Sequence, residues 1–235
     1  MSEKKHQVFA AAEPFFSCPL VTSRVGGMDD GAKFVCGMNF LPKENCVVYS
    51  LGVNRNHKFE WSLFKSAPQC VVYSFDPTPS LEEYFTDNPK IPPTQKHHIE
   101  AVTGKAGATV VLEGVQVKSR SLLEIMQFYG QKEIHIFKID IEGGEYEVFE
   151  NIEDEIWENI HQIQVEVHAN RKRFFNLLNL LDQKGFVMFM KDPNLYCSGC
   201  FEFSFLNIKK FAALVGLDPS MYRTSLGQEN TQKNI

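Results

Sequence analysis

At 235 residues, with 43% hydrophobic and 23% charged side chains, the chain can form one domain with a substantial core plus terminal extensions. A formal net charge of −5 excludes a general electrostatic footprint for nucleic acid. There is no long apolar run and no apolar signal core at the N-terminus, which predicts a cytoplasmic protein with no membrane partner; a chain trimmed of an anchor or leader would read the same way.

In chain order, residues 1–23 read as an N-terminal extension, 24–210 as the domain and 211–235 as a polar tail. The six cysteines (18, 36, 46, 70, 197 and 200) are scattered; two of them, Cys46 and Cys70, sit inside apolar strand-like runs and read as small buried hydrophobes. Cys197 and Cys200 form a single C-x-x-C without a second pair, a weak signal for zinc or for redox chemistry. Twenty Phe predict a phenylalanine-rich core.

Cys46–Val53 ("CVVYSLGV") and Cys70–Phe75 ("CVVYSF") are short, β-branched and almost wholly apolar, as in strands covered on both faces. Between them "HKFEWSLFKSAPQ" spaces Phe59, Leu63 and Phe64 as a helix, which Pro68 ends. "TPSLEEYFTDN" predicts a helix with Ser80 as N-cap and Glu83 completing a capping box. "HHIEAVTG" is a third strand, and "ATVVLEGVQVKSR" an irregular or hairpin insertion. "SLLEIMQFYG" is a helix from Ser121 to the stop at Gly130.

Next come a strand in "IHIFKIDIE", helical spacing in "GEYEVFENIEDEIW", a strand in "HQIQVEVH" and an amphipathic helix in "NRKRFFNLLNLLDQKG". "FVMFMKD" and "CFEFSFLNI" are two final strands joined without a helix, so they pair antiparallel at one edge. Alternation of this kind predicts an α/β sandwich on a largely parallel sheet. The repeated "CVVYS" is two neighbouring strands in one buried environment.

In such a sheet the ligand sits beyond the carboxyl ends of the strands. The first strand ends at Ser50-Leu51-Gly52, where a glycine admits a ligand to the backbone. The second ends at Asp76, placed as a carboxylate that receives ribose hydroxyls. Together they point to an adenosine-containing ligand. The turn after Gly52, "VNRNHKF", lacks the further glycines that a dinucleotide pyrophosphate needs. "FKIDIEGGEYEVF" puts Lys138, Asp140, Glu142 and Glu145 at a strand end and helix start, with Asp140 and Glu142 expected on one face. Glu166 and His168 share a face at the end of the next strand. Asp140, Glu142 and His168 are candidate bases, and Asp140, Glu166 and His168 candidate ligands for a divalent metal.

"CVVYSLG", "CVVYSFDPTPS", "FKIDIEGGEYEVFENI" and "QVEVH" resemble the FkbM-type S-adenosylmethionine-dependent methyltransferases, over roughly residues 24–206. "GGMDDGAKFVC" is similar to a "GG..DGG..vC" box of the animal methyltransferase-like branch, with Ala32 in place of its second glycine. The resemblance implies the class I methyltransferase fold, a Rossmann-like seven-stranded sheet with its last strand antiparallel. It implies a cofactor site from Ser50, Gly52, Asp76 and Asp140, with Ile99, Glu100 and Ala101 near the adenine and Asp30 and Gly31 near the cofactor or substrate mouth.

The expectation is O-methylation of a small-molecule or carbohydrate acceptor with S-adenosylmethionine. The alternatives are a non-catalytic binding module on the same fold and, disfavoured by the missing glycines, a nicotinamide-dependent oxidoreductase.

Overall fold

The computed structural model describes residues 9–28, 31–86, 88–103, 107 and 109–216. Asp30 lies outside them, as does the expected 211–235 tail from residue 217 onward; residues 211–215 instead belong to a helix that buries Phe211 and Ala212.

Seven strands form the central sheet: β3 (Val47–Leu51), β4 (Val71–Phe75), β5 (Gln95–His98), β9 (Ile136–Ile139), β10 (Gln162–His168), β11 (Phe186–Pro193) and β12 (Cys200–Asn207). Their order is β11-β12-β10-β9-β3-β4-β5. All ladders from β10 to β5 are parallel, while β12 runs antiparallel to both β10 and β11. This is the class I methyltransferase arrangement, a Rossmann-like sandwich whose last strand is antiparallel. Strand order reverses between β3 and β9, so the carboxyl ends there open a crevice.

The doubly covered strands explain the "CVVYS" echo. Val47↔Val71 through Leu51↔Phe75 pair in register. Val47, Tyr49, Leu51, Tyr73 and Phe75 enter one core; Val48 and Val72 enter the core on the other face. Helix α1 (Lys58–Ser66) covers that second face with Phe59 and Leu63. The larger core is rich in phenylalanine, and Phe9 of the N-terminal segment packs into it at 4.9 Å from Phe174 and 4.8 Å from Phe201.

Two capping readings separate here. Ser121 caps α3 (Leu122–Phe128) in a complete capping box with Glu124. Ser80 caps nothing. It lies inside a 3₁₀ turn, Pro79–Leu81, ahead of the single-turn helix α2 (Glu82–Phe85), and its N–H and hydroxyl both donate to Glu113. Glu113 sits at the tip of the hairpin β7 (Thr109–Leu112) and β8 (Val115–Arg120), which also pairs with β6 (Ala101–Val102). A carboxylate arriving from a distant hairpin displaced the local cap. The stretch "GEYEVFENIEDEIW" forms two short helices, α4 (Glu145–Glu150) and α5 (Asp154–Trp157); α6 (Arg171–Gln183) and α7 (Ile208–Val215) complete the helical layers.

Cys46 and Cys70 are buried as expected, but the pairing of the cysteines is not foreseen in the sequence. All six are paired, as Cys18–Cys36, Cys46–Cys70 and Cys197–Cys200. Cys46 and Cys70 directly precede the in-register pair Val47↔Val71, which places them side by side with Cα atoms 4.4 Å apart. Cys36 ends β2 (Lys33–Cys36), which forms a hairpin with β1 (Thr22–Val25). That hairpin carries Gly31 to Phe34 onto the sheet. Among the described residues no helix is long and apolar enough to cross a membrane.

Candidate functional site

A cleft of about 450 Å³ lies at the carboxyl ends of β3, β4 and β9. Gly52 begins its floor at φ +71°, in the left-handed region. A Cβ there would stand 1.7 Å from the Asp140 carbonyl oxygen, so the glycine is required first by the crossing of two backbones. Asn54 follows, also left-handed at φ +48°. Asn tolerates that conformation better than most side chains, and here it turns a loop with no second glycine.

Asp76 is 5% exposed and lines the cleft. Its Oδ2 accepts from the Asn54 N–H at 2.8 Å and its Oδ1 from the Thr78 N–H at 3.1 Å. Two backbone donors thus fix the carboxylate and leave acceptor capacity on each oxygen. Phe75, Ala101, Val102 and Val110 add an apolar wall beside it.

On the other wall, Asp140 follows β9 directly. Lys33 from β2, 1% exposed, donates to Asp140 Oδ2 at 3.0 Å and to Glu202 Oε1 at 2.6 Å. Glu166 bonds to Asp140 from the adjoining strand and takes the Asn194 amide. Burial pushes the Asp140 carboxyl up, but Lys33 and then Lys138 outweigh it and hold the group well below the usual carboxylate range. Burial would lower the Lys33 ammonium; Glu202 and Asp140 reverse that and raise it. Glu166 is pushed up to about 9 by burial, by its hydrogen bond to Asp140 and by the Asp140 and Glu202 charges. Glu202 rises to about 7, mainly through burial, with Lys33 opposing. Lys33 and Lys138 therefore keep Asp140 anionic, and Glu166 is the group that holds its proton near neutral pH.

The anticipated residues divide by place. Gly31, Gly52, Asp76, Ala101, Asp140 and Glu142 line the cleft. Ser50 does not; it is fully buried and donates to Glu60 Oε1 at 2.7 Å. Ile99 and Glu100 stand outside the lining, Glu100 pairing with Arg120 at 3.1 Å. Asp140 and Glu142 do not share a strand face, because β9 ends at Ile139 and Glu142 turns out at φ +52°, its side chain 88% exposed.

Asp140 and Glu166 meet as a carboxylate pair, but Glu202 stands where His168 was expected, with oxygens of all three carboxyls within 4.8 Å. Lys33 already supplies a cation to that group. His168 instead faces Glu145 Oε1 at 3.3 Å and Glu142 Oε2 at 3.3 Å. The hydrogen bond and charge of Glu145 raise it to about 9 against the effect of burial.

Lys33, Glu202 and Asn194 carried no signal in the linear sequence. Lys33 lies in a short extended segment and Glu202 alternates with aromatics, so no local pattern marks either as part of a site. Only the hairpin docking over the end of the sheet buries them. The position of Glu202 directly across from Glu166 is a register fact of the final antiparallel strand.

A methyltransferase-domain family model matches residues 1–207. The chain belongs to the methyltransferase-domain family. Human "Probable methyltransferase-like protein 24" is 25% identical over 196 residues, covering 72% of this chain and 52% of that protein. The protein of the same name from Rattus norvegicus is 24% identical over 194 residues, covering 71% and 52%. The chain thus spans about half the length of these curated relatives.

"Methyltransferase 1" of Beauveria bassiana is 30% identical over 81 residues, covering 34% of this chain and 32% of its own. Among solved structures, the Methanococcus jannaschii fibrillarin pre-rRNA processing protein matches with TM-score 0.46 at 10% identity, covering 70% of this chain and 68% of that one. The SAH-bound calicheamicin-biosynthesis methyltransferase CalO1 matches with TM-score 0.35 at 11% identity, covering 70% and 49%.

Proposed function

We propose that this methyltransferase domain uses S-adenosylmethionine to methylate a hydroxyl of a small molecule or sugar. The observation that carries the reading is Asp76, a buried carboxylate at the end of the strand next to the switch-point strand β3, fixed by two backbone donors and facing the cleft. Its remaining lone pairs suit ribose hydroxyls. Phe75, Ala101 and Val102 suit an adenine face, and the Gly52–Asn54 turn with Asp140 suits the amino-acid end. Gly31 lines the cleft, in keeping with the resemblance that puts the "DDGAKF" box near the cofactor or the substrate mouth. The "KIDIEGGE" stretch favours the FkbM-type branch as the finer assignment.

When bound, the cofactor supplies an electrophilic methyl group on a sulfonium. The residues of the chain hold the partners and manage one proton. Asp140 stays anionic and is a weak base, suited to receive a hydroxyl proton late, once the oxygen has become acidic through methylation. His168 remains protonated until about pH 9 and therefore acts as a donor; exposed Glu142 beside it is the weaker candidate.

Three disulfides fit an oxidising compartment better than the reducing cytosol. The negative net charge favours a small acceptor over nucleic acid. A thermal-shift comparison tests the cofactor: S-adenosylhomocysteine should raise the melting temperature and NAD should not. Stabilisation by NAD alone would replace the reading with an oxidoreductase.

A further inference from the structure

A second cavity, of about 160 Å³, adjoins the cofactor cleft, and Gly31 lines both. It lies between the β1–β2 hairpin and the β11–β12 turn. Its polar lining is Arg24, Asp192, Asn194 and Glu202. Met28, Leu195 and Tyr196 stand at its rim, 84%, 87% and 70% exposed.

The polar groups differ in what they leave unsatisfied. Arg24 and Asp192 pair with each other at 2.9 Å. Asn194 gives its amide to Glu166, and its Oδ1 takes the N–H groups of Tyr196 and Cys197. Glu202 is 7% exposed, and Lys33 holds its Oε1. Glu202 Oε2 is buried with no hydrogen-bond partner. A buried carboxylate oxygen without a donor is unfavourable, and Glu202 lines this cavity, so its carboxyl is a place for a ligand hydroxyl.

Charge and size narrow that ligand. Lys33 already compensates the Glu202 charge and Arg24 compensates Asp192, so a neutral hydrogen-bond donor suits the floor better than a second cation. The apolar, aromatic rim suits the face of a ring. The volume is well below the roughly 300–1,000 Å³ of drug-sized pockets, which limits the occupant to a single substituted ring.

We propose that this cavity seats the methyl acceptor, a small neutral ring bearing hydroxyl groups, with one hydroxyl donating to Glu202 Oε2 and Tyr196 against the ring face. The inference rests on the methyltransferase reading and adds the place and chemistry of the acceptor. The ring's reacting hydroxyl reaches the cofactor cleft past Gly31, beside Asp140.

Two probes separate the sources of such a ring: methyl α-glucoside for a sugar and catechol for a phenol. Each is titrated into the protein and followed by saturation-transfer NMR, with S-adenosylhomocysteine binding measured separately by calorimetry. At least one probe should bind the loaded wild type. Tyr196→Ala, a change at an exposed position that spares the core, should weaken it roughly three- to tenfold, and Glu202→Gln should weaken it further. Tyr196→Ala should bind S-adenosylhomocysteine as the wild type does.

Glucoside binding identifies a sugar-type seat and catechol binding a phenol-type one; either supports the assignment. Failure of both probes on protein that binds S-adenosylhomocysteine overturns it, as ordered water alone then serves Glu202. Probe binding unchanged in Tyr196→Ala also overturns it, even if Glu202→Gln fails to fold. Absence of S-adenosylhomocysteine binding overturns the cofactor reading itself and the acceptor assignment with it.

Discussion

Replacing Gly52 by alanine separates two reasons for a glycine. Both Gly52 and Gly130 have left-handed backbones, at φ +71° and +66°. An alanine at Gly130 would meet nothing within 4 Å, whereas at Gly52 its Cβ would fall 1.7 Å from the Asp140 carbonyl oxygen. Gly130→Ala should therefore cost only the left-handed penalty, about 1 kcal/mol. Gly52→Ala adds overpacking of about 1–3 kcal/mol.

The added cost has a route into the site. The end of β9 must withdraw, straining the Asp140 N–H to Leu51 carbonyl bond, now 3.1 Å, which is worth about 1 kcal/mol. The expected total is about 4 kcal/mol, a large share of a typical stability of about 5–15 kcal/mol. Urea unfolding of the two variants beside the wild type measures the difference, which should be about 3 kcal/mol. Equal losses in Gly52→Ala and Gly130→Ala would refute the steric argument.

Lys33→Met should cost about 3–5 kcal/mol near neutral pH, because it strips the ammonium from a buried carboxylate group; a cost below about 1 kcal/mol in urea unfolding would mean that the carboxyls simply take up protons. Glu166 and Glu202 bind protons more tightly folded than unfolded, so their contribution is complete below about pH 4.5 and is lost as pH rises through about 7 for Glu202 and about 9 for Glu166. Stability should fall from about pH 4.5 to about pH 9, and Glu166→Gln should flatten that slope; an unchanged slope would contradict the protonated Glu166. His168 should titrate near 9 by NMR and return toward ordinary histidine values in Glu145→Gln. Removing the Cys46–Cys70 bond as the double alanine variant opens a 24-residue separation and should cost about 3 kcal/mol, read as a lowered melting temperature that a reductant also produces in the wild type.

The strands and most helices were legible because their patterns are local: apolar runs for β3 and β4, and Ser121 with Glu124 for a capped helix. Gly52, Asp76 and Asp140 stand at strand ends, which topology alone marks as the ligand edge. The rest depended on long-range pairing. Ser50 was misplaced because its position in the strand turns it toward Glu60 on a covering helix. Ser80 lost its cap to Glu113 on a distant hairpin. The disulfides were invisible, since six scattered cysteines fix no connectivity, and only the register Val47↔Val71 sets Cys46 against Cys70. Lys33 and Glu202 meet across 169 positions of chain, a distance no periodicity spans.

The central claim is a nucleoside-cofactor site built on Asp76. Its most direct test is calorimetric titration of S-adenosylhomocysteine into wild type and Asp76→Asn, with folding of the variant checked by urea unfolding. Saturable binding to the wild type, at least about tenfold weaker in Asp76→Asn for the loss of charged acceptor bonds, is the predicted result. No binding to the wild type, or equal affinity in the variant, would contradict it.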